Sequence, residues 1–472
     1  METIKQKTLG EYQEKLLTDT AAYQRITALF DEGTFVELGK FVKHSANELA
    51  PESSDFEGVI TGYGAVEGRL VFVYSQDFSR MKGAVGAAHA KKIAAIYDAA
   101  LKVGAPVISI IDTAGAKLNE GVDALSGYGL IMNSVAKASG IIPQIAVVCG
   151  PCTGAMATIA SMADFVIGAK KSGKFFIAPP YVLQDKSGTI EAAAKNGSIS
   201  IIEEDDISAV TKARKLFTYL PANNTDGITY SKTADDPHRL TVGTTAAEIA
   251  VDMVDATTAI ELVPAYGKSV KTYLSIINEI TVGVIAVDGQ LTPADARKAA
   301  KLMTVCDNFS IPVVTVVNCP GFEYTSENEK APFASELAKL SMVYAGSTNA
   351  KLTVIVGEAI GSAFTMLGSK SLGADVVFAT ENANIAAMTT DAAIEFIYGS
   401  EFYGAENALE KKEAFTKEWK TKIASPVAAA RSGDVDDVIA TEEVRARVAS
   451  TIEMLSCKAT KAPFKKHTNM PL

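Results

Sequence analysis

The chain has 472 residues, 48% hydrophobic and 21% charged, with 35 Gly and 16 Pro, a mix that excludes a disordered, collagen-like or low-complexity protein. At roughly 100–200 residues per domain, the length suits two or three domains with cores of their own. With 45 basic against 55 acidic residues the net charge is −10, so nothing drives the chain as a whole toward nucleic acid or an anionic membrane. Five scattered cysteines, and a start without the charged-then-apolar pattern of a secretory signal, point to a reducing cytoplasm.

In chain order, ALFDEGTFVEL at Ala28 is followed by KKIAAIYDAALKVGAPVISIIDTAGA from Lys91. There Ile93, Ile96, Tyr97, Ala100 and Leu101 fall on one face of a helix, and Val107 to Ile111 is an apolar run of the kind that forms a strand buried on both faces. Ala138 to Ala163 carries no charge over 26 residues, but Pro143, Gly150 and Pro151 divide it into a strand (Ile145 to Val148), a loop and a helix start rather than a membrane span. After a polar stretch, ADDPHRLTVGTT, the pattern returns. DMVDATTAIEL at Asp252 echoes the first block, and RKAAKLMTVCDNFSIPVVTVVNCPGF from Arg297 echoes the second. GEAIGSAFTMLGSKSLGADVVF from Gly357, with its strand Leu352 to Val356, echoes GPCTGAMATIASMADFVI from Gly150. Pro106 and Pro312, like Gly115 and Gly321, are 206 residues apart, and Gly154 and Gly361 are 207 apart. Three blocks in the same order predict two similar α/β domains, 1–240 and 241–472, with the boundary near 235–248.

Gly154-Ala155 and Ser362-Ala363 stand where an apolar strand gives way to a helix. Backbone N–H groups at such a turn are unpaired donors suited to a developing oxyanion, and small side chains let a ligand approach. The alternative is that small residues there only permit close helix–strand packing. Other motifs carry less. Cys149 and Cys152 have CxxC spacing, but the repeat replaces them with Gly357 and Ala359. Gly168 to Lys174 fits a phosphate loop until Phe175, where a Ser or Thr should hold Mg²⁺. Asp112 to Gly115 resembles a nucleotide-switch element but precedes that loop. His44, His89, His238 and His467 show no metal-ligand spacing, so no metal site is expected. Glu203 to Asp206 reads as a solvated helix start and Lys458 to Lys466 as a solvated tail.

From Phe56 to Gly121, and on through the middle of the chain, SQDF, AAHAKKI, VGAPVI, DTAGAKLNEG, SGYG, SGIIPQI and GPCTGA occur in order. They are followed by IEEDDISAVTKARKLFTYLPANN, IPVVTVVNCPGF and AIGSAFTMLGSK. In these motifs, from about Arg25 to Gly399, the chain resembles the carboxyltransferase (β) subunits of biotin-dependent acyl-CoA carboxylases and the α subunits of acyl-CoA decarboxylases. The resemblance implies two tandem crotonase-like (ββα-spiral) domains within an α/β fold. It implies an active site between the N-terminal domain of one subunit and the C-terminal domain of its dimer partner, in a dimer-built homo-oligomer such as a hexamer.

The reaction so implied is carboxyl transfer between carboxybiotin and the α-carbon of an acyl-CoA, in either direction. Gly154 and Ala155 would hold the acyl-CoA enolate and Ser362 and Ala363 the biotin, with Gly115, Ala116, Lys117 and Gly361 binding substrate. Biotin's N1 can take the α-proton, in keeping with the lack of a prominent catalytic His or carboxylate. No Met-Lys-Met motif is present, so biotin would arrive on a separate biotin carboxyl carrier protein, with a biotin carboxylase or a membrane decarboxylase subunit completing the complex. The expected location is the cytoplasm, or the membrane surface through that complex. Ser362, Ala155 and Lys117 depart from the family's usual residues. Val284 to Leu302 lacks its Asn-Gln-Pro loop and longer segment, and Glu323 to Pro332 is unlike its Gly-rich loop. Two other readings stay open: a biotin-independent crotonase-type hydratase or hydrolase, with Glu120 the nearest carboxylate, and a non-catalytic scaffold subunit.

Overall fold

The computed structural model describes residues 18–43, 56–179, 182, 187–460 and 469. They form two compact units that divide between Asp226 and Gly227. Residues after the division already pack with the second unit. Ser231 N–H donates to the Glu279 carbonyl, and Arg445, wholly buried, donates to the carbonyls of Asp236 and Met253 and pairs with Asp255 at 2.8 Å. His44 and residues 461–468, which include His467, lie outside the described residues, and Lys458, read as the start of a solvated tail, pairs with Asp375 at 2.8 Å.

In the first unit, helix α1 (Ala21–Leu29) precedes β1 (Val36–Leu38) and the antiparallel hairpin β2 (Val59–Val66) and β3 (Arg69–Gln76). Helix α2 (Ala87–Val103) ends at Gly104, whose φ of 65° is a conformation that costs an L side chain but not glycine. It leads into β4 (Val107–Ile111), α3 (Val122–Ala138), β5 (Gln144–Val148), β6 (Pro151–Thr153), α4 (Ala155–Ser161), β7 (Phe165–Ala169), β8 (Lys174–Phe176), β9 (Ile201–Glu203) and α5 (Asp206–Phe217). Among the described residues the sheet runs β1-β2-β3-β4-β5-β7-β9, parallel from β3 onward, while β6 and β8 pair separately. Every residue of β4 and β5 is buried, as a strand covered on both faces requires. The uncharged stretch from Ala138 is thus strand, loop and short helix, and no described helix is long and apolar enough to cross a membrane.

The second unit repeats this plan. After α6 (Ala246–Asp252) come β10 (Ile260–Leu262), β11 (Val270–Ile277), β12 (Ile280–Asp288), α7 (Pro293–Asn308), β13 (Val313–Cys319), α8 (Phe333–Gly346) and β14 (Lys351–Ile360). Strand β14 runs straight into α9 (Gly361–Met366) and is followed by β15 (Val376–Thr380), β16 (Asn384–Ala386) and β17 (Asp437–Ile439). The sheet order is β10-β11-β12-β13-β14-β15-β17, with β16 paired to β14. Even single hydrogen bonds recur. Val107 N–H donates to the Pro143 carbonyl and Val313 N–H to that of Ala350; Asp164 caps the Gln144 amide and Asp375 that of Lys351, each at 2.8 Å. The departing stretch Val284 to Leu302 folds regularly, as the end of β12 and a helix whose start Thr292 and Asp295 close with a capping box.

Candidate functional site

Two loops at the ends of β4 and β5 meet in the first unit. Thr113 N–H donates to the Pro151 carbonyl at 2.8 Å, and a Cβ at Gly115 would lie 3.3 Å from Thr153 Oγ1, so the loops lie side by side. Gly115 has φ 117° and Gly154 φ 54°, values that explain glycine at both turns. Val85 bridges to Ala116 in parallel fashion: Val85 N–H donates to the Gly115 carbonyl and Lys117 N–H to the Val85 carbonyl, both at 2.9 Å. That pattern turns the amide of Ala116 to the other side, where it has no acceptor among the described residues. Gly154 N–H is already used, donating to the Phe176 carbonyl at 2.9 Å, and the next amide, that of Ala155, has no acceptor among the described residues. The donors this unit offers are therefore Ala116 and Ala155, with Gly115 and Gly154 shaping the turns.

The second unit builds the same arrangement. Leu291 bridges to Phe322; Leu291 N–H donates to the Gly321 carbonyl at 2.9 Å and Glu323 N–H to the Leu291 carbonyl at 3.0 Å. Gly321 has φ 128° and Gly361 φ 65°. By position Gly361 matches Gly154, Ser362 matches Ala155 and Phe322 matches Ala116. The amides of Phe322 and Ser362 have no acceptor among the described residues. Ser362 is exposed in a cleft of about 730 Å³ that Thr365, Ile385, Lys422 and Asp434 also line, whereas Ala363 is 1% exposed and packs inward. Sequence reasoning did not single out Phe322. The constant 206-residue offset from Ala116 was the signal that could have found it.

Several charged side chains near the first-unit loops are committed elsewhere. Lys117 is buried, with Nζ 2.8 Å from Glu57 and 3.0 Å from Glu120, and the other Glu120 oxygen accepts the Ala87 N–H at the start of α2. Lys117 thus offers no free cation to a substrate, and Glu120 no free base. Arg25 spans Asp112 at 2.8 Å and Asp206 at 2.9 Å, so Asp206 is tied inward while its neighbour Asp205 caps α5. Cys149 and Cys152 are free and buried, and burial pushes the Cys149 thiol up to about 12 and that of Cys152 further, the reverse of a redox thiol. Gly168 to Lys174 joins β7 to β8 rather than opening a helix, which removes the phosphate-loop geometry. Burial, then the Lys92 and Lys117 cations, push His89 down to about 3, where it contacts Gln76 at 3.2 Å. Among the described residues no group of three or more His, Cys, Asp or Glu could hold a metal ion.

The chain matches the family model of the carboxyl transferase domain over residues 18–470. It is similar to the methylmalonyl-CoA decarboxylase subunit alpha of Propionigenium modestum, 35% identical over 96% of this chain and 93% of that one. The mitochondrial propionyl-CoA carboxylase beta chain of Sus scrofa is likewise 35% identical, over 96% of this chain and 88% of its own. Among solved structures, the hexameric transcarboxylase 12S core with methylmalonyl-CoA and methylmalonic acid bound matches with a TM-score of 0.91 at 30% identity, covering 98% of this chain and 94% of that one. A single-chain long-chain acyl-CoA carboxylase shares the fold, with a TM-score of 0.78 at 21% identity over 91% of this chain and 45% of that chain.

Proposed function

The chain belongs to the carboxyl transferase domain family and is an acyl-CoA carboxyltransferase with a crotonase-like α/β fold; from that premise we propose that each unit contributes one oxyanion hole to carboxyl transfer. In this reading Ala116 and Ala155 N–H hold the thioester oxygen of the acyl-CoA enolate, and Phe322 and Ser362 N–H hold the ureido oxygen of biotin. The observation that supports it is the recurrence of the same unsatisfied amide pair in both units, 206 and 207 residues apart.

Negative charge develops on the thioester oxygen when the α-carbon loses CO₂ or a proton, and on the ureido oxygen when biotin gives up its carboxyl group. Preorganised amides stabilise such charge without reorganising at the moment of reaction. Biotin, brought by a biotin carboxyl carrier protein, supplies or accepts the carboxyl group and can hold the α-proton. In this reading the cleft that Ser362 shares with Thr365, Ile385, Lys422 and Asp434 takes the biotin ring. We assign the first unit, to Asp226, to the acyl-CoA side and the second, from Gly227, to the biotin side.

Decarboxylase and carboxylase relatives match at equal identity, so the direction follows the partner: a biotin carboxylase in one case, a membrane decarboxylase subunit in the other. A hexamer of this chain would accord with the assembly named for transcarboxylase 12S. A hydratase would need a free carboxylate, and Glu120 is spent on Lys117 and the Ala87 amide. The test is product formation by the purified protein with free biotin and, in turn, malonyl-CoA, methylmalonyl-CoA and glutaconyl-CoA. Biotin-dependent release of a decarboxylated acyl-CoA is expected. Folded protein that binds these thioesters and releases none would overturn the reading.

A further inference from the structure

At the root of the two loops of each hole, one polar side chain is seated against a glycine. At the end of β4 this is Asp112 against Gly150; at the end of β13 it is Asn318 against Gly357. A Cβ on Gly150 would overlap the Asp112 carboxylate, and one on Gly357 the Asn318 amide. The first members are 206 residues apart and the glycines 207, the same register as the unsatisfied amides. Ala116 and Phe322 follow four residues after Asp112 and Asn318, while Ala155 and Ser362 follow five after Gly150 and Gly357. The spacer therefore stands at the root of both loops that carry the donors.

The two spacers are wired differently for a reason written in the sequence. Asn318 Oδ1 accepts the Glu358 N–H at 2.9 Å and Nδ2 donates to Asp288 at 2.8 Å. In the first unit Pro151 stands at the place of Glu358 and has no N–H to donate. The spacer there is a carboxylate held by Arg25 at 2.8 Å, and its own backbone N–H donates to Gln76 Oε1 at 3.2 Å. Gln76 ends β3 as Asp288 ends β12, so each unit ties its spacer to the equivalent neighbouring strand.

We infer that Asp112 and Asn318 are positioning residues, each setting the separation of the two amides in its own hole, so that each governs one side of the transfer. This rests on the two-hole reading above. Asn318 and Asp288 are only half-buried, which makes their pair the tractable test. Asn318→Asp keeps the acceptor for Glu358 N–H but sets a second carboxylate against Asp288. In the full-length protein with free biotin, kcat should fall about tenfold to a hundredfold, as expected for a displaced catalytic group. The biotin KM should rise while the acyl-CoA KM stays within about twofold, a split that general destabilisation does not produce. The exchange Asp288→Asn with Asn318→Asp restores the hydrogen bond with donor and acceptor reversed, and should return kcat to within about threefold of the parent. Unchanged kcat and biotin KM in Asn318→Asp, or a loss that the exchange does not repair in protein of parental melting temperature, overturns the inference. Ala155→Pro, run beside it, separates the two ideas. If that variant stays active the hole reading falls, and if it is inactive while Asn318→Asp is normal only the spacer role falls.

Discussion

Ala155→Pro removes one atom group that matters and leaves the backbone able to fold. Ala155 is the first residue of α4, where proline is well tolerated because its fixed φ is helical and no intrahelical acceptor waits for its N–H. The preceding residue is the usual obstacle, since proline's Cδ crowds its Cβ and N–H. Here that residue is Gly154, with no Cβ and with ψ −124°, which swings its nitrogen away. The change therefore deletes a single donor. Losing one oxyanion donor costs about 2.7–4 kcal/mol of transition-state stabilisation, or about a hundredfold to a thousandfold in kcat. The acyl-CoA KM should barely move, because the bond is made to charge that exists only in the transition state. Ala155→Gly, which keeps the N–H, should retain most of the rate. The assay is biotin-dependent decarboxylation under saturating acyl-CoA, with melting curves to establish the fold. A folded Ala155→Pro enzyme whose kcat is within about threefold of the parent would refute the assignment of this amide.

Two further outcomes follow from burial. Cys149, Cys152, Cys306 and Cys319 are buried and Cys457 is exposed, so an alkylating reagent at pH 8 should label Cys457 alone in the native protein. Rapid labelling of Cys149 or Cys152 before unfolding, read by peptide mass spectrometry, would contradict the packing. Burial holds His89 neutral in the folded chain to about pH 3, whereas the unfolded chain takes up that proton near 6.5. The unfolded state then binds more protons across this interval, so stability rises with pH through it and is lost as the pH falls. Between pH 6.5 and 4.5 the loss is about 2 kcal/mol. His89→Gln should flatten that acid arm in urea titrations at the two pH values, and an equally steep arm in the variant would show that His89 is not its source.

The fold was legible because its main determinants are local. Val107 to Ile111 is apolar throughout since both sheet faces are covered, and Gly115, Gly321, Gly154 and Gly361 mark backbone with positive φ that other residues resist. Their constant spacing disclosed the repeat. The site was legible only as a region, because an amide's availability depends on what distant segments do. Gly154 carries the right sequence for a donor, yet its N–H is taken by Phe176, on a strand 22 residues later. Ala116 and Phe322 are freed by bridges to Val85 and Leu291, and a backbone donor leaves no mark on side-chain identity, so a phenylalanine could hide one. Asp206 looked solvated from its acidic neighbours and instead reaches Arg25, 181 residues away. Lys117, which the resemblance implied binds substrate, is neutralised within the fold by Glu57 and Glu120.

That neutralisation bears on the chemistry. A carboxylated acyl-CoA carries a full negative charge before reaction, and a free lysine at the hole would bind that charge in the ground state as firmly as the enolate that follows. Such uniform binding lowers KM without raising kcat. A free carboxylate would repel the enolate outright. Lys117 is paired with Glu57 and Glu120, and Arg25 with Asp112 and Asp206; on the proposed reading, the fixed amide dipoles of Ala116 and Ala155 would then attract the thioester oxygen more strongly as charge moves to it. On the two-hole reading proposed above, these buried ion pairs would serve catalysis by keeping their charges off the bound thioester. Lys117→Met would leave the Glu57 and Glu120 carboxylates buried and under-compensated, a loss of about 3–5 kcal/mol that should appear first as a lower melting temperature rather than as a higher acyl-CoA KM.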